Sequence, residues 1–237
     1  MLNKIKKILN KKKKTPIVCL TAYSKSIAQI IDKSCDIILV GDSLANVLYG
    51  MENTHKIKLE TMIKHTQSVR QGVKKSLLIV DMPKNTYSTK KDALKNAKKI
   101  ISATGCEAVK IESNSKNYNI IQHLVKAGVP VMGHIGFTPQ FKGKFRVCGH
   151  NQKEKNKLIK EAKNIEKAGA FSIVLECITS KTSKEITQQL KIITIGIGSS
   201  ANCDGQILVT DDLLGLSGFY PKFVKKYVKL DKIIEKG

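Results

Sequence analysis

Four acidic residues of this sequence each follow a short apolar run. Asp42 comes after DIILVG, Asp81 after SLLIV, Glu112 after EAVKI, and Glu176 after FSIVL. Carboxylates at the carboxyl ends of successive buried strands are how α/β barrels build their active sites. Burying four such groups without a cation or hydrogen-bond donors is costly, so the pattern predicts a metal-assisted enzyme.

Three of these acids form an oxygen-rich set that suits Mg²⁺. Asp42 in VGDSL and Asp81 in IVDMP supply hard oxygen donors at one rim, and Glu112 in VKIES completes the set. Mg²⁺ prefers carboxylate and water to thiolate or imidazole. Taken singly, each aspartate is as well explained as a helix cap or a turn residue. The prediction of a magnesium site therefore depends on the set as a whole.

Lys110 stands two residues before Glu112, so both side chains project from the same face of one strand. Facing the barrel interior, they form a charge pair beside the metal; facing the helices, Lys110 extends to solvent instead. Because Lys110 lies on the same face of the strand as Glu112, we favour the orientation in which its side chain faces the barrel interior. Glu176 in VLECI follows an apolar run, and partial loss of water would raise its proton affinity and suit it to general-base chemistry. A buried structural glutamate is the alternative there.

Two further segments have the composition of ligand contacts. His134 lies between two glycines in GVPVMGHIG, where it could donate to a substrate carboxylate or orient a cosubstrate, although a structural histidine is as common at such a place. The glycines of TIGIGSSANCDGQ could form an anion-binding turn; they are Gly196, Gly198 and Gly205. Their spacing is not that of a dinucleotide-binding GxGxxG, and no Walker sequence occurs.

The elements that must position these residues repeat along the chain. Short β-branched runs alternate with segments of helical periodicity about eight times, which is typical of parallel βα units. Eight right-handed units favour an α/β fold of the closed (β/α)₈ TIM barrel type, with an open doubly wound sheet as the alternative. The predicted strands are 16–20, 36–40, 77–80, 108–111, 129–132, 171–175, 192–197 and 206–209. The predicted helices are 24–33, 59–72, 90–103, 117–127, 153–168 and 181–190.

The length of the chain fits a single barrel domain. We assign residues 15–237 to the barrel and residues 1–14 to a basic, lysine-rich lead-in. No apolar run approaches the roughly 20 residues that span a bilayer, and the amino end lacks the apolar core of a secretory signal. We therefore expect a cytoplasmic protein with no membrane partner. The six cysteines have neither CxxC nor zinc-finger spacing, which predicts free thiols.

The net charge of +23 would attract polyanions such as nucleic acid. Almost all of the charge is lysine, since only Arg70 and Arg146 are arginines. Proteins that read bases rely on the guanidinium fork, and those that bind single strands add aromatic platforms, which the basic runs here lack. We expect nonspecific attraction at low salt and no specific nucleic-acid partner.

The least regular stretch, 133–151, follows the fifth predicted strand. A long loop there would lie over the barrel mouth. Its glycines and Arg146 suit a mobile cover or an anion-contacting segment, and an exposed basic loop is the equally good alternative.

A series of ordered motifs resembles one enzyme family, the ketopantoate hydroxymethyltransferases. From about Thr21 to Tyr227 the chain contains TAY, VGDSL, LETMIKHTQSV, VDMP, AVKIE, AGVPVMGHIGFTPQ, AGAFSIVLEC, TIGIG, CDGQILV, DLLGL and PKFVKKY. VGDSL together with GHIGFTPQ is close to diagnostic. The resemblance extends over nearly the whole chain.

The resemblance implies a phosphoenolpyruvate/pyruvate-like barrel that binds Mg²⁺ as its metal. Its reaction would move a hydroxymethyl group from the cosubstrate 5,10-methylenetetrahydrofolate to 3-methyl-2-oxobutanoate, giving 2-dehydropantoate for pantothenate biosynthesis. By the same resemblance Glu176 is the proton acceptor, and Asp42 and Asp81 hold the metal with support from Glu112. The residues that it places against the oxo acid are Asp42, Ser43, Asp81 and Lys110.

The resemblance also implies a homo-oligomer, which in this family is a decamer. This chain stops soon after PKFVKKY, without the extra helix that takes part in subunit contacts in the family, and the expectation of a decamer is weaker for that reason. Other departures fall in binding turns. Ser113 and Asn114 stand where the family has a glycine pair, and Ser199 and Ser200 stand where it has Ala-Gly.

Two other functions compete with the transferase. A related Mg²⁺-dependent carbon–carbon lyase acting on oxo acids would need a reactive loop cysteine in a KxCG-like context, and the sequence has none. A noncatalytic basic barrel would have no need of the acids, yet every acid assigned to metal binding and proton transfer is present.

Overall fold

The computed structural model describes residues 2–143, 145–218 and 220–237. Within them, eight parallel strands pair in sequence order and β1 also pairs with β8, so the sheet closes into a barrel. The strands are β1 (Ile17–Thr21), β2 (Ile37–Val40), β3 (Leu77–Asp81), β4 (Ala108–Glu112), β5 (Val131–Gly136), β6 (Ser172–Glu176), β7 (Ile193–Ile197) and β8 (Gly205–Leu208). The closed barrel confirms the predicted fold over the open sheet.

Helices surround the barrel and connect its strands. They are α1 (Leu2–Leu9), α2 (Lys25–Ile31), α3 (Leu44–Val47), α4 (Leu59–Gly72), α5 (Lys90–Thr104), α6 (Tyr118–Lys126), α7 (Gln152–Lys167), α8 (Ser180–Gln189), α9 (Thr210–Leu214) and α10 (Leu230–Ile234), with a 3₁₀ turn at Thr54–Lys56. The six predicted helices correspond to α2 and α4–α8. Helix α5 ends as predicted at Gly105, whose φ of 65° is the left-handed conformation that glycine adopts most easily.

Two apolar clusters hold the barrel together. Alternate residues of each strand fill the barrel interior, among them Ile37 and Leu39 of β2. The residues between them, such as Ile38 and Val40, pack against the surrounding helices instead. This division follows from the two-residue period of a strand, and it is why the buried parallel strands are apolar on both faces.

Helix α1 packs across the amino-terminal end of the barrel. Ile5 and Ile8 are 6% and 4% exposed and belong to the same cluster as the barrel interior. Three lysines anchor the segment by ion pairs: Lys4 with Glu107 at 2.9 Å, Lys11 with Asp36 at 2.6 Å, and Lys12 with Asp204 at 2.7 Å. Each acidic partner directly precedes a strand, so all three pairs lie at this end. The lysine-rich lead-in is therefore a packed part of the structure.

Two simpler predictions can be compared directly with the structure. All six cysteines are buried and free. Among the described helices there is none with both the length and the apolar character to cross a bilayer.

Candidate active site

The carboxyl ends of the strands carry the predicted acids. Asp81, Glu112 and Glu176 are the last residues of β3, β4 and β6, rather than residues beyond them. Strand pairing sets Asp81 beside Lys110 and Glu112 beside His134. Because parallel strands all end at the same rim of a barrel, these side chains meet there.

A cavity of about 750 Å³ lies at this rim. It is lined by the seven residues that the sequence analysis assigned to metal binding, substrate contact or proton transfer, namely Asp42, Ser43, Asp81, Lys110, Glu112, His134 and Glu176. Asp42 reaches it from the loop that follows β2, where Ser43 also contacts Tyr23 through hydroxyl groups 2.8 Å apart. The structure therefore brings the predicted site residues together in one cavity.

Lys110 and Asp81 form a buried ion pair at the floor of the cavity. The Lys110 ammonium donates to Asp81 Oδ1 at 2.9 Å, and the backbone N–H of Asp42 donates to Asp81 Oδ2 at 3.0 Å. Burial alone would lower the pKa of Lys110, but the charges of Asp81, Glu112 and Asp42 outweigh burial and raise it. Lys110 is therefore a fixed cation in the reaction site.

Gln140 braces the acids and was missed by the sequence analysis. Its side-chain amide donates to Asp42 Oδ2 at 2.8 Å and to the Met82 carbonyl at 3.0 Å, while its backbone N–H donates to Glu112 Oε2 at 2.9 Å. Its carbonyl oxygen accepts from the Tyr87 hydroxyl, and the residue is 1% exposed. Every polar group of the side chain is thus satisfied, which fixes the orientation of Asp42.

His134 lies between two carboxyl groups. Its Nε2 is 3.1 Å from Glu176 Oε2, and its Nδ1 is 3.6 Å from Glu112 Oε1. The contact with Glu176 lacks the angles of a hydrogen bond, the contact with Glu112 is too long for one, and no other described residue is hydrogen-bonded to the ring nitrogens. Burial, reinforced by the charge of Lys110, lowers the pKa of His134 well below its usual value, so the imidazole is neutral.

Three carboxyl groups of the cavity hold protons more tightly than they would in water, namely those of Glu176, Asp42 and Glu112. Burial raises the pKa of Glu176 to about 8, against the opposing charge of Lys110. Burial and the neighbouring charge of Asp81 raise the pKa of Asp42 to about 7. Burial and Asp42 likewise raise the pKa of Glu112 well above its usual value. Such crowding of acids is typical of a reaction site or a cation site.

The residues present fit a magnesium ion. Hard oxygen donors crowd around the ammonium of Lys110, and a divalent cation would offset their mutual repulsion. Among the described residues, no three His, Cys, Asp or Glu side chains converge as a closed ligand set. Mg²⁺ commonly keeps several waters and takes only one or two carboxylates, so Asp42 and Asp81 suit direct ligation and Glu112 suits support.

The loop that follows β5 contributes to the cavity wall. Strand β5 extends to Gly136, beyond the predicted end at Met132, because His134, which lines the cavity, and the glycines near it interrupt the apolar run. Lys142 and Phe145 of the loop line the cavity. Arg146 instead is exposed and pairs with Glu154, so it has a partner outside the cavity.

Close packing explains two of the glycines that the sequence analysis assigned to an anion-binding turn. A Cβ atom on Gly205 would lie 2.5 Å from the Ile17 carbonyl oxygen. One on Gly198 would lie 2.4 Å from the ring of Phe223. Both distances are shorter than any real contact, so these positions need glycine whether or not an anion binds there.

Comparison with known proteins places the chain among characterised families. Residues 3–237 match the ketopantoate hydroxymethyltransferase family. The chain is 54% identical over 232 residues to the 3-methyl-2-oxobutanoate hydroxymethyltransferase of Pelagibacter ubique, covering 97% of this chain and 90% of that protein. It is 47% identical over 222 residues to the protein of the same name from Rhizobium etli, covering 92% and 81%.

Solved structures with low sequence identity share the fold. A putative phosphonomutase from Burkholderia cenocepacia superposes with a TM-score of 0.73 at 10% identity, covering 99% of this chain and 98% of that one. A 2,3-dimethylmalate lyase, described as a member of the PEP mutase/isocitrate lyase superfamily, superposes with a TM-score of 0.66 at 12% identity, covering 98% and 97%. With its cavity and its close relatives, the chain belongs to the ketopantoate hydroxymethyltransferase family of enzymes.

Proposed function

We propose that this protein transfers a hydroxymethyl group from 5,10-methylenetetrahydrofolate to 3-methyl-2-oxobutanoate, giving 2-dehydropantoate in pantothenate biosynthesis. One observation carries the proposal: in a chain of this family, a base, a buried cation and a set of hard oxygen donors line a single cavity. The names of the close relatives supply the oxo acid and the transferred group.

The oxo acid carries adjacent keto and carboxylate oxygens, and the floor of the cavity is suited to bind both. The Lys110 ammonium offers positive charge next to the place where the keto oxygen becomes negative. Mg²⁺ held by Asp42 and Asp81 would supply Lewis-acid stabilisation of that same charge. The Gln140 amide keeps Asp42 in one orientation throughout.

Glu176 is the group best placed to remove the proton from C3 of the oxo acid. Burial raises its pKa to about 8, so the carboxylate is a stronger base than that of an ordinary glutamate, and a minor fraction of it is ionised at neutral pH. The neutral imidazole of His134, 3.1 Å away, limits the directions in which the carboxylate can turn. Proton removal leaves an enolate whose C3 is nucleophilic.

The enolate carbon then attacks the methylene carbon carried by the folate. A carbon–carbon bond forms, the bonds from that carbon to the folate nitrogens break, and water supplies the hydroxyl oxygen of the product. The oxo acid, methylenetetrahydrofolate and one water thus become 2-dehydropantoate and tetrahydrofolate. Atoms balance without any oxidant or reductant.

The two halves of this reaction can be measured separately. We would follow hydrogen exchange at C3 of 3-methyl-2-oxobutanoate in heavy water, with and without Mg²⁺, and then add methylenetetrahydrofolate and assay 2-dehydropantoate. Metal-dependent exchange followed by product formation is expected. If the wild-type protein gives neither exchange nor product, the proposed function is wrong.

Asp42→Asn and Asp81→Asn distinguish catalysis from a noncatalytic basic barrel. Both variants should lose exchange and keep their salt-dependent attraction to polyanions, because that attraction comes from the lysine-rich surface. Exchange that persists in both variants would contradict the assigned metal ligands.

A further inference from the structure

The cavity has two parts of different chemistry. Its floor is charged, whereas part of its wall is formed by an aromatic rim consisting of Phe137, Phe145 and Phe223. A cavity of about 750 Å³ lies within the range that takes drug-sized ligands, and a five-carbon oxo acid held by the floor leaves most of it free. The rim is therefore free to contact a second ligand.

The rings of the aromatic rim come from two segments, Phe137 and Phe145 from the loop after β5 and Phe223 from the C-terminal segment, and Phe145 contacts both of the others. Phe137 and Phe145 have centroids 4.8 Å apart with planes tilted by 57°. Phe145 and Phe223 are nearly parallel, at 21° and 6.2 Å. Phe145 is nevertheless 52% exposed. A large aromatic side chain that lines a cavity with half of its surface exposed is well suited to stack on a flat ligand.

Backbone packing fixes the position of the third ring. Phe223 lies so close to Gly198 that a Cβ there would come within 2.4 Å of the ring. Gly198 has a φ of 55° and directly follows β7, a strand of the barrel. The C-terminal segment is thus seated on the rim of the barrel by this contact, and the ring is brought to the cavity wall.

We propose that the aromatic rim binds the flat pterin ring of the one-carbon folate, above the oxo acid. This inference rests on the proposed function, which requires such a cosubstrate. The ring would stack on Phe145 and bring its methylene carbon over the floor. Exposed lysines flank Phe223 at Lys222, Lys225 and Lys226, and their charge complements the anionic glutamate tail of a folate.

The first test is Phe145→Ala with tetrahydrofolate as the probe. We expect calorimetric binding to weaken by about tenfold or more, which is typical for the loss of one aromatic stacking partner. The KM for methylenetetrahydrofolate should rise in parallel. The Mg²⁺-dependent C3 exchange, measured without folate, should stay within about twofold of wild type, because the floor is untouched.

Conservative variants separate stacking from simple loss of apolar area. Phe145→Tyr keeps the ring and should bind tetrahydrofolate as wild type does. Phe145→Leu keeps apolar bulk without the ring and should fall between Tyr and Ala. Equal binding by the Leu and Tyr variants would contradict stacking.

Phe141→Ala is the matched control. Phe141 lies four residues earlier in the same loop and is 40% exposed, but it does not line the cavity. If it weakens tetrahydrofolate binding as much as Phe145→Ala does, the effect comes from the loop in general and the inference fails. If Phe145→Ala binds tetrahydrofolate as wild type does while C3 exchange is intact, the aromatic rim does not bind the pterin ring and the proposed function stands. If the wild-type protein shows no exchange and does not bind tetrahydrofolate, both fail.

Discussion

The two ends of this barrel use charged residues in opposite ways. At the amino-terminal end, Lys4 and Lys12 each meet a carboxylate in an ion pair, and Ile8 of α1 fills the space between. At the carboxyl-terminal end, carboxyl groups surround Lys110, and burial raises the pKa values of Asp42, Glu112 and Glu176. One end is paired and apolar, which stabilises the fold, whereas the other retains the unfavourable charge that chemistry requires.

The largest effect on turnover should come from a substitution at the carboxyl-terminal end of the barrel. Glu176→Gln removes the proposed base and keeps the shape of the side chain, so turnover should fall by about 10²–10⁴. The melting temperature should stay the same or rise, because a buried ionisable group has been replaced by a neutral one. Turnover and C3 exchange near wild-type rates would remove Glu176 from its proposed role.

At the amino-terminal end, substitutions should lower stability and leave turnover unchanged. Ile8→Ala removes a nearly buried side chain from the barrel interior and should lower the free energy of unfolding by about 2–4 kcal/mol. Turnover per folded molecule should not change. Lys7→Ala, on the exposed side of the same helix, is the control and should alter stability by less than about 0.5 kcal/mol. A loss of turnover in Ile8→Ala under conditions where it is fully folded would show that the two ends are coupled.

Gln140 offers a finer test of the carboxyl-terminal end. Gln140→Ala leaves Asp42 and the backbone without the side-chain amide, so Mg²⁺ affinity and turnover should each fall by about 10–100-fold. Affinity can be measured directly by calorimetry with Mg²⁺. Tyr87→Phe breaks only the hydroxyl contact to Gln140 and should have a smaller effect. Unchanged Mg²⁺ affinity in Gln140→Ala would mean that the brace does not act through Asp42.

The raised pKa of Glu176 predicts a pH dependence of known sign. The folded protein binds this proton more tightly than the unfolded chain, so the stabilisation is present at low pH and is lost as pH rises towards about 8. In metal-free protein, wild type should therefore lose stability relative to Glu176→Gln between pH 5 and 8, by at most about 1.4 kcal/mol per pH unit. Parallel stability curves for the two proteins would contradict the raised pKa.

The barrel was predictable because its strands are apolar on both faces. The predicted strand ends fell short where chemistry begins: Asp81, Glu112 and Glu176 are inside their strands, and β5 continues through His134. A run of apolar residues stops where side chains turn into a polar cavity, although the backbone pairing continues. Strand length and apolar length therefore differ most at the active site.

Two features escaped the sequence analysis for different reasons. Gln140 carries no charge, so the residue type alone does not indicate a role in the site. Its importance comes from four hydrogen bonds with distant parts of the chain. In α1, the abundant lysines conceal the spacing of Ile5 and Ile8, which lie on one face of the helix. Only the three-dimensional packing shows that this face covers the barrel.

Helix α1 has a consequence for the order in which ligands come and go. Because α1 covers the amino-terminal end of the barrel and the cavity lies at the carboxyl-terminal rim, we expect ligands to enter and leave at the carboxyl-terminal end. In the proposed arrangement the oxo acid on the floor lies beneath the folate on the rim, so the acid would enter first and its product would leave last. We expect compulsory-order steady-state kinetics, in which tetrahydrofolate departs before 2-dehydropantoate, and product-inhibition patterns can verify this sequence.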